Sequence, residues 1–388
     1  MKNVFIILSI LIIIFTLKVD SIAQGNEKTL NKNLIDSMGV QIHFTAGHTQ
    51  DLDMIQQAGF KIVRMDFFWN KCETQKGIYD FSEYDKLYAN LKSRGLKPIF
   101  ELDFGNSLYG ELWSIKKPTT RRAFANFAAK AVEHFKNEDI IWEIWNEPNI
   151  SKFWYPKPNA IEYTLLAKET STAIRKKNPN TVIVGPALSE IKYNYLEDCM
   201  KNGLLNYIDA ITVHPYRPTG PETLEQDIIR LKALIGKYNK TNKNIQILSG
   251  EWGYPSKTFD CSESLQAKYL TRMFLYNAYL GIPVSIWYDW QDDGVGSNNA
   301  EHNFGLIYFN RTPKPSYHSM VRLSKYLKDK TKAQRLTSNP NDYILLFTGN
   351  GEQVYAIWTT QANHKIKLNG IEIELNDMPT FIVIPSRN

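Results

Sequence analysis

Three cysteines in 388 residues are too few for a disulfide framework, and Cys72, Cys199 and Cys261 stand at no metal-binding spacing. One bridge and three buried thiols both fit that count. Charge of one sign is lacking as well: 46 basic against 40 acidic residues leave a net +6. No basic stripe is interleaved with aromatics, so the electrostatic footprint of a nucleic-acid binder is missing. Clusters such as Arg121-Arg122 and Arg175-Lys176-Lys177 fall in polar helical segments and read as solvated faces. Apolar runs long enough to cross a bilayer are missing too. The longest, Val4–Leu17, has 14 residues, against roughly 17–25 for a spanning helix. None of the seven histidines forms the His-x-His pair expected of a metal-dependent barrel hydrolase. No G-x-G-x-x-G or P-loop follows the first strand, which removes the best marker of a nucleotide-binding open sheet.

What is present begins with Lys2, the apolar run and the small-x-small site Ser21-Ile22-Ala23. Residues 1–23 therefore read as a secretory signal, and the chain as an exported protein with no membrane span once processed. Aromatics make up 13% of the residues, which suits either a large core or a cleft that stacks on sugar faces.

After residue 24, short apolar runs alternate with amphipathic segments. Strands are expected at Met38–Phe44, Lys61–Asp66, Lys97–Asp103, Ile140–Asn146, Thr181–Pro186, Ile208–His214, Gln246–Glu251 and Pro283–Asp289. Helices are expected at Phe81–Arg94, Thr120–Lys136, Ala160–Lys177, Thr223–Tyr238 and Ser262–Leu280. Eight strand-plus-helix units predict an α/β fold, a (β/α)8 TIM barrel over residues 24–330. From 337 to 388 the pattern becomes short β-like runs separated by Asn/Gly turns, which predicts a small C-terminal antiparallel β domain packed on the barrel.

Each expected barrel strand runs apolar and then ends in polar or aromatic groups: Arg64 and Asp66, Glu101 and Asp103, Asn146-Glu147, His214-Pro215-Tyr216, Glu251-Trp252, Trp287 and Asp289. Parallel barrel strands are buried on both faces, so polar tips call for a reason other than packing. Gathered at the carboxyl ends, they converge on the rim where barrel enzymes place their chemistry.

Two of these tips carry glutamates flanked by tryptophan. In Trp142-Glu-Ile-Trp-Asn-Glu-Pro148, Pro148 stops the strand just after Glu147. Apolar surroundings beside Trp145 suit a general acid. In Gly250-Glu-Trp-Gly253, Glu251 holds the matching place three strand-helix units later. Strands 4 and 7 face each other across a barrel mouth, and retaining glycosidases need two carboxyls roughly 5–5.5 Å apart. The plainer alternative is a pair of rim glutamates in salt bridges.

At these motifs the chain resembles a clan A glycoside hydrolase, most closely family 39 and related bacterial exopolysaccharide hydrolases. The likeness extends to Gly39-Val-Gln-Ile-His43, Val63-Arg-Met-Asp66, Gly77-Ile-Tyr-Asp-Phe81, His214-Pro-Tyr216, Phe304-Gly-Leu-Ile-Tyr308 and Pro313-Lys-Pro-Ser-Tyr317. The resemblance implies a retaining glycosidase acting on β-linkages of an oligo- or polysaccharide, with Glu147 as acid/base and Glu251 as nucleophile. It implies that Asn146 holds the sugar 2-hydroxyl, that Tyr216 donates to Glu251, that Arg64 adds positive charge beside it, and that Trp287 is a sugar platform. Trp290, in the loop Trp287-Tyr-Asp-Trp-Gln-Asp-Asp-Gly294, would add to a sugar-binding wall. His43 and His214 fit either a substrate contact or a satisfied core histidine. Asp289, Asp292 and Asp293 lack EF-hand spacing, so neither a metal nor an organic cofactor is expected. A carbohydrate is the expected partner, and the chain is expected to act as a monomer. Two rivals remain: a transglycosylase, which would share every residue named, and a non-catalytic carbohydrate-binding barrel, which would keep the aromatic cleft but usually lack one of the two carboxylates.

Overall fold

The computed structural model describes residues 33–136, 138–241, 243–257, 261–296, 298–368 and 370–385; the expected signal at 1–23 lies outside them. Strands and helices alternate: β1 (Met38–Gln41), α1 (Thr49–Ala58), β2 (Ile62–Phe68), α2 (Trp69–Cys72), α3 (Ser82–Ser93), β3 (Lys97–Asp103), α4 (Pro118–His134) and β4 (Ile141–Ile144). There follow α5 (Ala160–Lys177), β5 (Val182–Ser189), α6 (Tyr193–Lys201), β6 (Ala210–His214), α7 (Leu224–Tyr238), β7 (Gln246–Trp252), α8 (Glu263–Tyr279), β8 (Ser285–Trp287) and α9 (Pro315–Leu327). The eight strands pair in parallel in sequence order. β8 returns to β1 through Met38↔Ser285, Gly39↔Ile286 and Val40↔Trp287, which closes the barrel.

Alternation along the strands sorts the side chains. The bottom of the barrel is filled by Ile62, Ile99, Ile141, Val184, Ala210, Leu248, Val284 and Ile286. Two residues further along β2, β3 and β4 the same inward face carries Arg64, Glu101 and Glu143. The interior thus passes from an aliphatic floor to a polar layer beneath the mouth. Gly39 makes that floor fit, since a Cβ there would lie 2.4 Å from Ile286 Cδ1. Outward-facing residues such as Phe67, Phe100 and Trp142 pack against the helices. Several strands stop earlier than expected, β1 at Gln41 and β4 at Ile144, because the backbone leaves the ladder where the polar tips begin.

The C-terminal region forms a four-stranded antiparallel sheet, ordered β14–β11–β10–β9, and a separate hairpin, β12–β13. Its strands are β9 (Lys332–Arg335), β10 (Asp342–Gly349), β11 (Glu352–Thr359), β12 (His364–Leu368), β13 (Ile371–Leu375) and β14 (Thr380–Pro385). The edge strand β9 starts before the expected boundary at 337. Polar and aromatic contacts fasten the sheet to the barrel. Trp358 Nε1 donates to Glu222 Oε1 at 2.8 Å, a carboxylate that Arg272 of α8 also holds, and Tyr343 packs edge-on against Tyr276 of α8 at 5.5 Å. All three cysteines are free and buried. Among the described residues no helix is long and apolar enough to cross a membrane.

Candidate active site

A cavity of about 460 Å³ opens at the carboxyl ends of the strands. Its lining includes Arg64, Asn146, Glu147, Tyr216, Glu251 and His43, six residues the sequence singles out. Glu147 follows β4 with φ +44°, and Trp145 before it has φ +68°, both in the left-handed region that side-chain-bearing residues seldom occupy. Such strain persists where surrounding contacts fix it. Here the Glu147 N–H donates to the Ala187 carbonyl at 2.9 Å, and Trp145 Nε1 donates to the Phe153 carbonyl at 2.8 Å.

The two glutamates meet across the cavity. One oxygen of Glu147, one of Glu251 and a ring nitrogen of His214 all lie within 4.8 Å of one another. Glu251 accepts from Arg64 Nη1 at 3.0 Å and from the Tyr216 hydroxyl at 2.8 Å. Burial, and then the Glu251 charge, hold the Tyr216 phenol far above its ordinary value, so it stays a donor. Glu147 has a different partner: its Oε1 lies 2.9 Å from His214 Nδ1. Two carboxylates in one cavity are therefore held by unlike groups.

Arg64 is the centre of the polar layer. Fully buried, it reaches Glu143 at 2.7 Å, Glu101 at 2.9 Å, Gln41 at 3.0 Å and Asn146 at 3.3 Å, besides Glu251. It both pairs with neighbouring acids and contacts Glu251. His43 lies between Asp289 at 3.6 Å and Asp66 at 3.8 Å. Burial alone would lower its pKa, but the two carboxylates outweigh that and push it up to about 11. Asp289 is pushed up to about 7 by burial, against the opposing pull of His43.

Three expected substrate contacts are corrected. Trp287 is fully buried and outside the cavity, its Nε1 donating to the Phe304 carbonyl at 3.3 Å. The cause is alternation: Ile286 points into the barrel floor, so its neighbour Trp287 points into the helix layer. Tyr288 then faces the cavity and takes the place expected for Trp287. Trp290 is buried likewise, donating to Asp51 at 3.2 Å and packing on Tyr317 of α9. His214 has no exposed surface and sits behind the glutamate pair, so it touches the carboxylates and not the cavity.

Gln41 and Phe304, quoted only as parts of motifs, and Lys152, Ser189 and Glu301, not singled out, also line the cavity. Strand alternation could have found Gln41; Ser189 ends β5, past the expected limit at Pro186, and the others lie in connections whose course no periodicity reports. Asp292, in the loop weighed as a calcium site, pairs instead with Lys314 at 2.6 Å. Asp66, Glu101 and Asp103 also place ligand atoms within 4.8 Å of one another, as do Glu147, His214 and Glu251. In each set the Arg64 guanidinium lies within about 3 Å of one member and opposes a second cation.

Comparison with known proteins agrees with this geometry. Residues 25–294 match the model of the cellulase family, glycosyl hydrolase family 5. A β-xylosidase of Caldicellulosiruptor saccharolyticus is 23% identical over 360 residues, covering 82% of this chain and 72% of the relative. A family 39 glycoside hydrolase from Bacteroides cellulosilyticus WH2 superposes with a TM-score of 0.80 at 24% identity, over 90% of this chain and 81% of that one. A family 39 β-xylosidase from Caulobacter crescentus gives 0.65 at 18% identity, over 86% and 79%. At these identities the two structures establish the shared fold.

Proposed function

Because the chain belongs to the cellulase family, glycosyl hydrolase family 5, and is a glycosidase, we propose that it cleaves β-linked oligo- or polysaccharides with retention of anomeric configuration. One observation carries the mechanism: Glu147 and Glu251 bring oxygens within 4.8 Å across the cavity. As a limit on one oxygen from each group, it fits the short carboxyl spacing of retaining enzymes, roughly 5–5.5 Å between groups. Inverting enzymes need roughly 6.5–9.5 Å to admit a water between the carboxyls.

Glu251, oriented by Arg64 and Tyr216, attacks the anomeric carbon as Glu147 gives its proton to the leaving oxygen. Glu147 then takes a proton from water, which releases the sugar from Glu251. His214 keeps Glu147 aimed during both steps. Asn146, whose Oδ1 is oriented by Arg64, contacts the 2-hydroxyl. Every group named comes from one chain, so no second copy is required. The apolar run Val4–Leu17 supports export. The β-xylosidase relatives make β-xylosides the first substrates to try.

The test is Glu251→Ala. Turnover should vanish with the fold intact, and azide should restore a reaction that yields the glycosyl azide of inverted configuration. Near-normal hydrolysis by that variant, on a substrate the parent cleaves, refutes the assignment.

A further inference from the structure

Beside the cavity the rim carries an apolar ledge that the two glutamates leave unused. Phe104 and Phe153 line the cavity and stack in parallel, 5.4 Å between centroids. Trp113 continues them outward, 5.2 Å from Phe104. It is 48% exposed, beside Leu112 at 46%. Contiguous exposed apolar surface of this kind marks a binding site more often than it serves stability.

The ledge is fixed in place. Its loop leaves β3 at Gly105, whose N–H donates to the Leu112 carbonyl at 2.7 Å; a Cβ there would lie 2.0 Å from the Glu111 oxygen. Asn106 donates to the Glu73 carbonyl, and Tyr109 to the Glu73 carboxylate. The Trp113 carbonyl accepts from the Tyr155 N–H at 3.0 Å, and the Ser114 hydroxyl donates back to the Tyr155 carbonyl at 2.8 Å. This ties the loop to the one that follows β4. A tryptophan left in water on a pinned backbone loses little further freedom when a ligand covers it.

Position gives the ledge an orientation. Phe153 lies two turns beyond Glu147, through Ile150 N–H to the Glu147 carbonyl and Phe153 N–H to the Ile150 carbonyl. It therefore stands on the side of the residue that protonates the leaving oxygen. Lys152 lies at the cavity edge, 4.7 Å over the Phe153 ring.

We propose that Trp113, with Phe104 and Phe153, forms a sugar subsite on the leaving-group side. It stacks the pyranose that follows the reacting sugar, and Lys152 donates to that sugar's hydroxyls. The placement rests on Glu147 being the acid. It makes the enzyme one that prefers oligosaccharides over glycosides with small leaving groups.

The test compares the parent with Trp113→Ala and Trp113→Phe on two substrate sets. One set holds β-1,4-linked xylo-, gluco-, manno- and galacto-trisaccharides; the other holds the matching β-glycosyl fluorides, whose leaving group cannot reach the ledge. Trp113→Ala should lose about tenfold in kcat/KM on the cleaved trisaccharide and stay within twofold on the fluoride, with Trp113→Phe recovering most of the loss. Equal loss on both substrates, no loss on the trisaccharide, or no trisaccharide cleaved by the parent overturns the proposal. Fluoride hydrolysis that survives Glu251→Ala would instead sink the catalytic assignment, so the two failures are told apart.

Discussion

Replacing Arg64 by Met tests the polar layer beneath the cavity. The guanidinium is 1% exposed and faces three carboxylates, Glu143 at 2.7 Å, Glu101 at 2.9 Å and Glu251 at 3.0 Å. Methionine keeps much of the stem volume, so cavity formation is a small part of the change. What is lost is the counter-charge, and breaking a buried ion pair from one side costs about 3–5 kcal/mol. At roughly 2–3 °C per kcal/mol for a chain of this size, Tm should fall by about 6–15 °C. The pH dependence has a definite sign. Without Arg64 the facing carboxyls take up protons more readily in the folded state than in the unfolded one. Stability of the variant is therefore fully present at acid pH and lost as pH rises. Thermal unfolding followed by circular dichroism at pH 5 and pH 8 should show the larger drop at pH 8. A fall under 3 °C, or the same fall at both pH values, would refute an electrostatic role for Arg64.

Two further outcomes follow from single contacts. His43, raised to about 11 by Asp289 and Asp66 against the lowering effect of burial, contributes stability that is complete below its ordinary 6.5 and lost as pH rises through 11. Its ring should carry protons on both nitrogens at pH 8 in nitrogen-detected NMR, and a neutral tautomer there would contradict the clamp. Trp358→Phe keeps the stack on Tyr343 but removes the donor to Glu222. It should cost about 1–2 kcal/mol and lower Tm by roughly 2–6 °C with kcat/KM unchanged; an unaltered Tm would show that the seam does not depend on that bond.

The barrel was legible because most strands carry their own signal, a short apolar body followed by a polar tip. Glu147 and Glu251 stood out for the same reason, placed on strands whose numbers alone set them face to face. Legibility fell where orientation depends on a partner strand. Trp287 and Tyr288 differ by one position, and only the pairing Gly39↔Ile286 decides which of them enters the barrel. A tryptophan at a strand tip looks like a platform until the glycine opposite is seen to admit Ile286. Glu301 and Phe304 come from beyond β8 and reach the cavity over a loop path that no repeat encodes.

The surplus of acids under the mouth answers a constraint the sequence shows only as a list of tips. Asp66, Glu101, Asp103, Glu143 and Asp289 surround two cations, Arg64 and His43. Were every carboxyl ionised, their repulsion in a buried site would exceed what two cations can offset. Burial, reinforced by Asp66 and Glu101, raises Asp103 far above the carboxylate range. Burial likewise raises Glu101, outweighing the opposing pull of Arg64. Both are therefore harder to ionise than an exposed carboxyl. Asp66 goes the other way: burial would raise it, but the hydrogen bond and charge of His43 prevail and leave it ionised. Burial and His43 thus push the acids of this layer in opposite directions. Because Glu101 resists ionisation, more of the Arg64 charge faces Glu143 and Glu251.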